Sequence, residues 1–171
     1  MRKETPSKIP FDPLERFAGI ERLVAKVYFR FSHLFVNKSK LRDFWWQMAR
    51  DEEQHACILL ACKAIVENFP DETVDPNINR EKADQLTERI GSYLSKGTRS
   101  ITVEEAFKIA LEIECSELDA IYTGLLQACG PKVAKTMENV GVPASVQRQK
   151  LALAVRQFAK DPELHAAVEN L

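Results

Sequence analysis

The sequence has little from which a β-sheet could be built. No run alternates β-branched with polar residues, and neither Asn-Gly nor Asp-Gly occurs, so a hairpin-based architecture is not expected. An excess of charge of one sign is also missing. The formal net charge is −1, which gives no electrostatic footing for nucleic acid or an anionic membrane surface. No apolar run reaches the roughly 18 residues that a membrane span needs. The N-terminal MRKETPSKIPFDP contains no apolar stretch of the kind a secretory signal carries, so a cytoplasmic protein is expected. The four cysteines, Cys57, Cys62, Cys115 and Cys129, form no Cys-x-x-Cys pair. That argues against a zinc knuckle, a thioredoxin-type motif and a rubredoxin-like iron site. It leaves free thiols packed as small apolar residues. Phosphate loops, nucleophile elbows and catalytic triads have no counterpart here.

What the sequence does contain is helical periodicity. With 171 residues, 45% of them hydrophobic, it is long enough for one domain with a substantial core; residues 1–10 are expected to be a flexible N-terminus. The apolar spacing predicts a first helix over Phe11–Val36, opened by Asp12-Pro13, and a second over Lys38–Asn68, ended before Pro70. A polar stretch follows, in which NREKADQLTERIGSYL reads as a shorter amphipathic helix. Thr102-Val-Glu-Glu105 is a capping box that starts a third long helix, and Gly130-Pro131 is its stop signal. A fourth begins near Pro143 and runs to about Lys160, with DPELHAAVENL beyond it. The reading is all-α. Its long connection between the second and third long helices, with a short extra helix inside it, predicts a ferritin-like four-helix bundle with a crossover.

Each apolar stripe is broken by polar residues near its middle or, on the last helix, near its C-terminal end. On the first helix Glu21 interrupts Leu14, Phe17, Val24 and Tyr28. On the second, Glu52 and His55 stand between Met48 and Leu59. On the third, Glu114 and Glu117 stand between Leu111 and Leu118. On the last, His165 follows Phe158 and Pro162. Spacings of three residues keep both members of a pair on one helix face. A buried, unpaired carboxylate costs several kcal/mol. The basic residues Arg22, Lys26, Arg30, Arg50, Lys63 and Lys108 lie mainly on other faces. A bound cation resolves the conflict: Glu21, Glu52, Glu114 and Glu117 together carry −4, which two divalent ions would balance. Neutral imidazoles of His55 and His165 would complete the ligation, and mixed carboxylate and imidazole donors suit iron or manganese.

These residues resemble the rubrerythrin branch of the ferritin-like family. FAGIERLVAKVYFRFS resembles the family's first ligand helix, DEEQHA its second, EIECSELDAIY its third and FAKDPELHAAVENL its fourth. The resemblance implies a diiron-carboxylate centre with Glu21, Glu52, His55, Glu114, Glu117 and His165 as ligands. It also implies a reaction with peroxide or dioxygen. Tyr28 and Tyr122, on stripes near the site, are candidates to donate a hydrogen bond or an electron. Two departures matter. Pro162 stands where the family has the fourth-helix Glu, as the internal match of MARDEEQHA with FAKDPELHA makes visible. Asp161-Pro162 also reads as an N-cap and first-turn pair, so a helix restart is expected there. The second departure is the missing four-cysteine rubredoxin domain, so electrons would come from a separate donor protein.

The expectation is two iron ions per chain, with one iron or a manganese as the alternative if Pro162 has cost half the site. The leading function is a dimetal oxidoreductase that reduces peroxide or dioxygen, in oxidative-stress defence. Iron sequestration is the second reading, and an interaction module built on a decayed metal site is the third. A homodimer is expected, with Trp46 on its face. His33 is expected at the surface.

Overall fold

The computed structural model describes residues 11–68, 78–95 and 100–170. Among them every regular element is helical. The expected N-terminal tail 1–10 and parts of the connection after the second helix, 69–77 and 96–99, lie outside the described residues.

Helix α1, Pro13–Leu34, starts where Asp12 accepts a hydrogen bond from the Glu15 N–H at 3.0 Å and Pro13 takes the first turn. A tight turn returns the chain into α2, Ser39–Asn68, which packs along α1. Helix α3, Arg80–Ser95, lies against α1 as well. Helix α4, Val103–Glu114, opens on the expected capping box: the Thr102 hydroxyl accepts from the Glu105 N–H while the Glu105 carboxylate accepts from the Thr102 N–H. Three further helices follow: α5 (Leu118–Ala128), α6 (Pro131–Val140) and α7 (Ala144–Phe158). The described residues close with the short α8 (Pro162–Ala167) and a 3₁₀ turn, Val168–Asn170. Gly130 turns the chain from α5 into α6 with φ 91°, a backbone region where a side chain is strained.

The core runs between α1, α2, α4, α5 and α7. At one end Trp45 is fully buried in an aromatic box, with ring centroids 5.7 Å from Tyr28, 5.0 Å from Phe31, 4.7 Å from Phe44 and 5.0 Å from Phe107. Edge and offset geometries of this kind add to the area the rings bury. The Trp45 indole N–H has no hydrogen-bond partner among the described residues.

One expected helix is divided. The third long helix breaks at Cys115–Glu117. The Ser116 N–H donates to Ile113 O at 2.9 Å, three residues back, and the Ser116 hydroxyl takes the Leu118 N–H at 3.3 Å. A residue in such a tightened turn advances about 120° instead of about 100°. The face that α5 presents is therefore rotated from the one that continuous helical spacing predicts. The last helix ends at Phe158 and restarts at Pro162, where Asp161 accepts from the Glu163 N–H at 3.0 Å, as the Asp-Pro pair predicts.

Candidate metal centre

Four ionisable side chains are buried at one level of the core. Glu21 is 2% exposed, Glu52 3%, His55 3% and Glu114 4%. They come from α1, α2 and the last residue of α4. One donor atom from each of Glu21, Glu52 and His55 lies within 4.8 Å of the others. Glu114 stands beside them and accepts a hydrogen bond from the Tyr28 hydroxyl at 2.6 Å.

The imidazole is oriented from behind. His55 Nε2–H donates to the Val142 carbonyl, 2.8 Å away in the turn before α7. That fixes the tautomer and turns Nδ1 toward the Glu52 carboxylate at 3.3 Å. A backbone carbonyl on the distal nitrogen is how metal-ligating histidines are commonly held. Gly141 permits the approach of this turn: a Cβ on it would stand 2.7 Å from Ile58 Cδ1. The Tyr122 ring covers the other side of His55, with centroids 4.5 Å apart.

The carboxyl groups cannot all ionise without a cation. Burial, reinforced by the Glu52 carboxylate, pushes the Glu21 carboxyl well above its usual range. Burial and Glu52 do the same to Glu114, against an opposing effect of the Tyr28 hydrogen bond. Burial would lower the basicity of His55, but its contact with Glu52 outweighs this and raises its pKa. The Tyr28 hydroxyl is pushed well above its usual range by burial and by Glu114, so it remains a proton donor. A cluster without a cation therefore holds protons at the positions a cation would neutralise. Glu21, Glu52 and His55 place two carboxyl groups and an imidazole nitrogen close enough together to hold one metal ion.

No family model, curated protein or solved structure matches the chain.

Two of the six expected ligands stand elsewhere. Glu117 precedes the first residue of α5 without a side-chain capping bond, and its side chain is 55% exposed, in an ion pair with Lys82. The break after Glu114 turns it outward. His165 lies on α8, where its Nε2–H donates to Ala159 O at 2.9 Å and closes the end of α7. The restart at Pro162 takes this histidine off the helix that faces α2. Neither Glu117 nor His165 joins the group formed by Glu21, Glu52 and His55.

What α7 brings to Glu52 is Gln147, 1% exposed, whose amide Nε2 donates to the Glu52 carboxylate. Three residues on, Lys150 pairs with Asp51 at 2.7 Å. So opposite Glu52-x-x-His55 stands Gln147-x-x-Lys150, with no acidic or imidazole donor in it. The apolar stripe Leu151, Ala154, Val155, Phe158 extends back one turn to Gln147, a signal present in the sequence. Asp119 is the other unforeseen group. It is held by Arg148 at 2.6 Å, and its charge acts on Glu21, Glu114 and His55. Burial raises its pKa against the opposing effect of Arg148.

Proposed function

We propose that the chain is a metal-binding helical bundle that holds one divalent cation between Glu21, Glu52 and His55, with Glu114 alongside. The observation that carries this reading is the orientation of His55. Its Nε2 is tied to the Val142 carbonyl, so that Nδ1 is left toward a buried group of carboxyls. One ion is favoured over two because Glu117 and His165 are engaged elsewhere and α7 contributes an amide to the cluster. The rubrerythrin-like, ferritin-like assignment remains part of this proposal. It is supported by ligand-type residues at one level of α1, α2 and α4. A crossover bundle is supported by the pairing of α2 with both α5 and α7.

In this reading a bound iron or manganese would supply one-electron chemistry toward peroxide or dioxygen, with electrons drawn from a separate protein. The chain's own groups have defined parts. Glu21 and Glu52 neutralise the ion, and His55 donates Nδ1. Tyr28 holds Glu114 and keeps a proton at its oxygen. The aromatic and aliphatic walls exclude water, which strengthens every electrostatic contact inside. No helix among the described residues is long and apolar enough to cross a membrane.

A second reading has its own observation. Glu52 is already met by Gln147 and His55, as a cation-free polar network would require. Anaerobic loading with Fe(II) or Mn(II), desalting and elemental analysis separates the two. About one ion per chain, lost in Glu52→Ala and His55→Ala, supports the metal site. No retained metal in a folded chain supports the network.

A further inference from the structure

The outer face of the α1–α2 hairpin is used neither by the core nor by the metal reading. Two contacts fix its register. Phe29 of α1 meets Trp46 of α2 with ring centroids 5.1 Å apart, and Arg22 of α1 pairs with Glu53 of α2 at 3.6 Å. From the first contact to the second the chain steps back along α1 and forward along α2 by the same number of residues. The two helices therefore run antiparallel and stay level across this face. Between the two contacts stand Lys26 and Arg50, both exposed. Together with the rings, with Glu53 at the far end and with Ala25 and Ala49 beneath, they bound a hollow of about 310 Å³.

This hollow is not an ordinary solvated face. Phe29 is 42% exposed and Trp46 46%, so two large rings stand side by side at the surface. The buried alanines make a shallow floor and leave room above it. Lys26 and Arg50 face one another at one level, and like charges so placed repel. Neither side chain makes an ion pair among the described residues, and the nearby Glu53 is already matched by Arg22. The site thus offers an apolar ring surface beside two uncompensated positive charges. Its volume is at the small end of the range for small-molecule sites.

We propose that this hollow binds a small planar aromatic anion, stacked on Trp46 and Phe29 with its acidic group between Lys26 and Arg50. The spacing fits such a molecule. Lys26 is one helical turn from Phe29, and Arg50 one turn from Trp46, about 4.5–6 Å along the helices. A fused two-ring arene spans that distance between the ring it stacks and the acid it carries. The rings supply area for stacking, and the Arg50 guanidinium supplies paired donors for the acid. A second copy of the chain is a poorer occupant. A two-fold pairing of this face would set the cations of one copy near those of the other.

The test uses the full chain, free of metal, so it stands whatever the metal analysis gives. It is titrated with 8-anilinonaphthalene-1-sulfonate and, separately, with the uncharged N-phenyl-1-naphthylamine, and the probe's own emission is followed. The expected result is one sulfonate per chain, bound more weakly as salt rises toward about 1 M. Lys26→Gln combined with Arg50→Gln should weaken the sulfonate by about 2- to 30-fold and leave the uncharged probe unmoved. Trp46→Ala should weaken both probes by about 2- to 12-fold. All three changes are at exposed positions, and circular dichroism verifies that the helices are kept. Three results would overturn the proposal: no saturable binding, a sulfonate affinity unmoved by these substitutions, or an equal loss of both probes in the Lys26 and Arg50 variant. So would a dimer in sedimentation velocity that Trp46→Ala dissociates, because a second copy would then hold this face.

Discussion

Replacing Gln147 by Leu asks how the buried carboxyls are held. Gln147 is 1% exposed, and its amide donates to Glu52. Leucine has a similar volume and no donor, so the main loss is the hydrogen bond to a buried carboxylate. Hydrogen bonds to charged groups contribute about 1.5–3 kcal/mol. For a domain of this size 1 kcal/mol moves Tm by about 2–4 °C. The expected fall is therefore about 3–12 °C in thermal unfolding followed by circular dichroism in EDTA. The same experiment with saturating Mn(II) should show a smaller fall, because the cation neutralises Glu52 in both proteins. An unchanged Tm in EDTA would refute the claim that Gln147 holds the cation-free cluster together. An equal loss in EDTA and Mn(II) would refute the claim that Glu52 meets the ion.

Other consequences can be measured in the same protein. Trp45→Phe removes an indole N–H that has no partner and keeps a ring in the aromatic box, so urea denaturation should show a change under about 1.5 kcal/mol; Trp45→Ala should cost about 3–5 kcal/mol. Asp12→Ala removes the α1 cap and should cost about 0.5–2 kcal/mol at neutral pH. Burial opposes ionisation of Asp12, but Lys63 and the first-turn N–H groups outweigh it and hold its carboxyl below the usual range. Its contribution is thus present above the unfolded pKa of about 4 and is lost as pH falls through the folded value, so the variant and parent should converge in acid. Glu21 and Glu114 act in the opposite sense. Their folded pKa values are raised, so the cation-free folded state binds more protons than the unfolded one, and its stability should decline as pH rises above about 4.3. Saturating Mn(II) should remove that decline in pH-dependent melting curves.

The helical reading was legible because apolar spacing and caps are local. Asp12-Pro13, the Thr102–Glu105 box and Asp161-Pro162 all sit at observed helix starts. The buried Glu21, Glu52, His55 and Glu114 were legible because each interrupts an apolar stripe. What periodicity could not supply was phase across a break. Nothing in Glu114-Cys-Ser-Glu117 announces the tightened turn that sends Glu117 to Lys82 and leaves Asp119 near the cluster. Residues matched by local likeness were also misleading about direction. Phe-Ala-Lys-Asp-Pro-Glu-Leu-His resembles the second helix, yet the side chain that meets Glu52 comes from a full helix earlier, at Gln147. A buried glutamine on an apolar stripe is as informative as a buried glutamate, because each needs a partner.

The central claim is a single cation in one place. An anomalous difference map from crystals grown with Mn(II) tests it directly. The expected result is one peak per chain, bonded to His55 Nδ1 and to the carboxylates of Glu21 and Glu52. Two peaks between the helices, or a cluster that remains empty at saturating Mn(II), would contradict it.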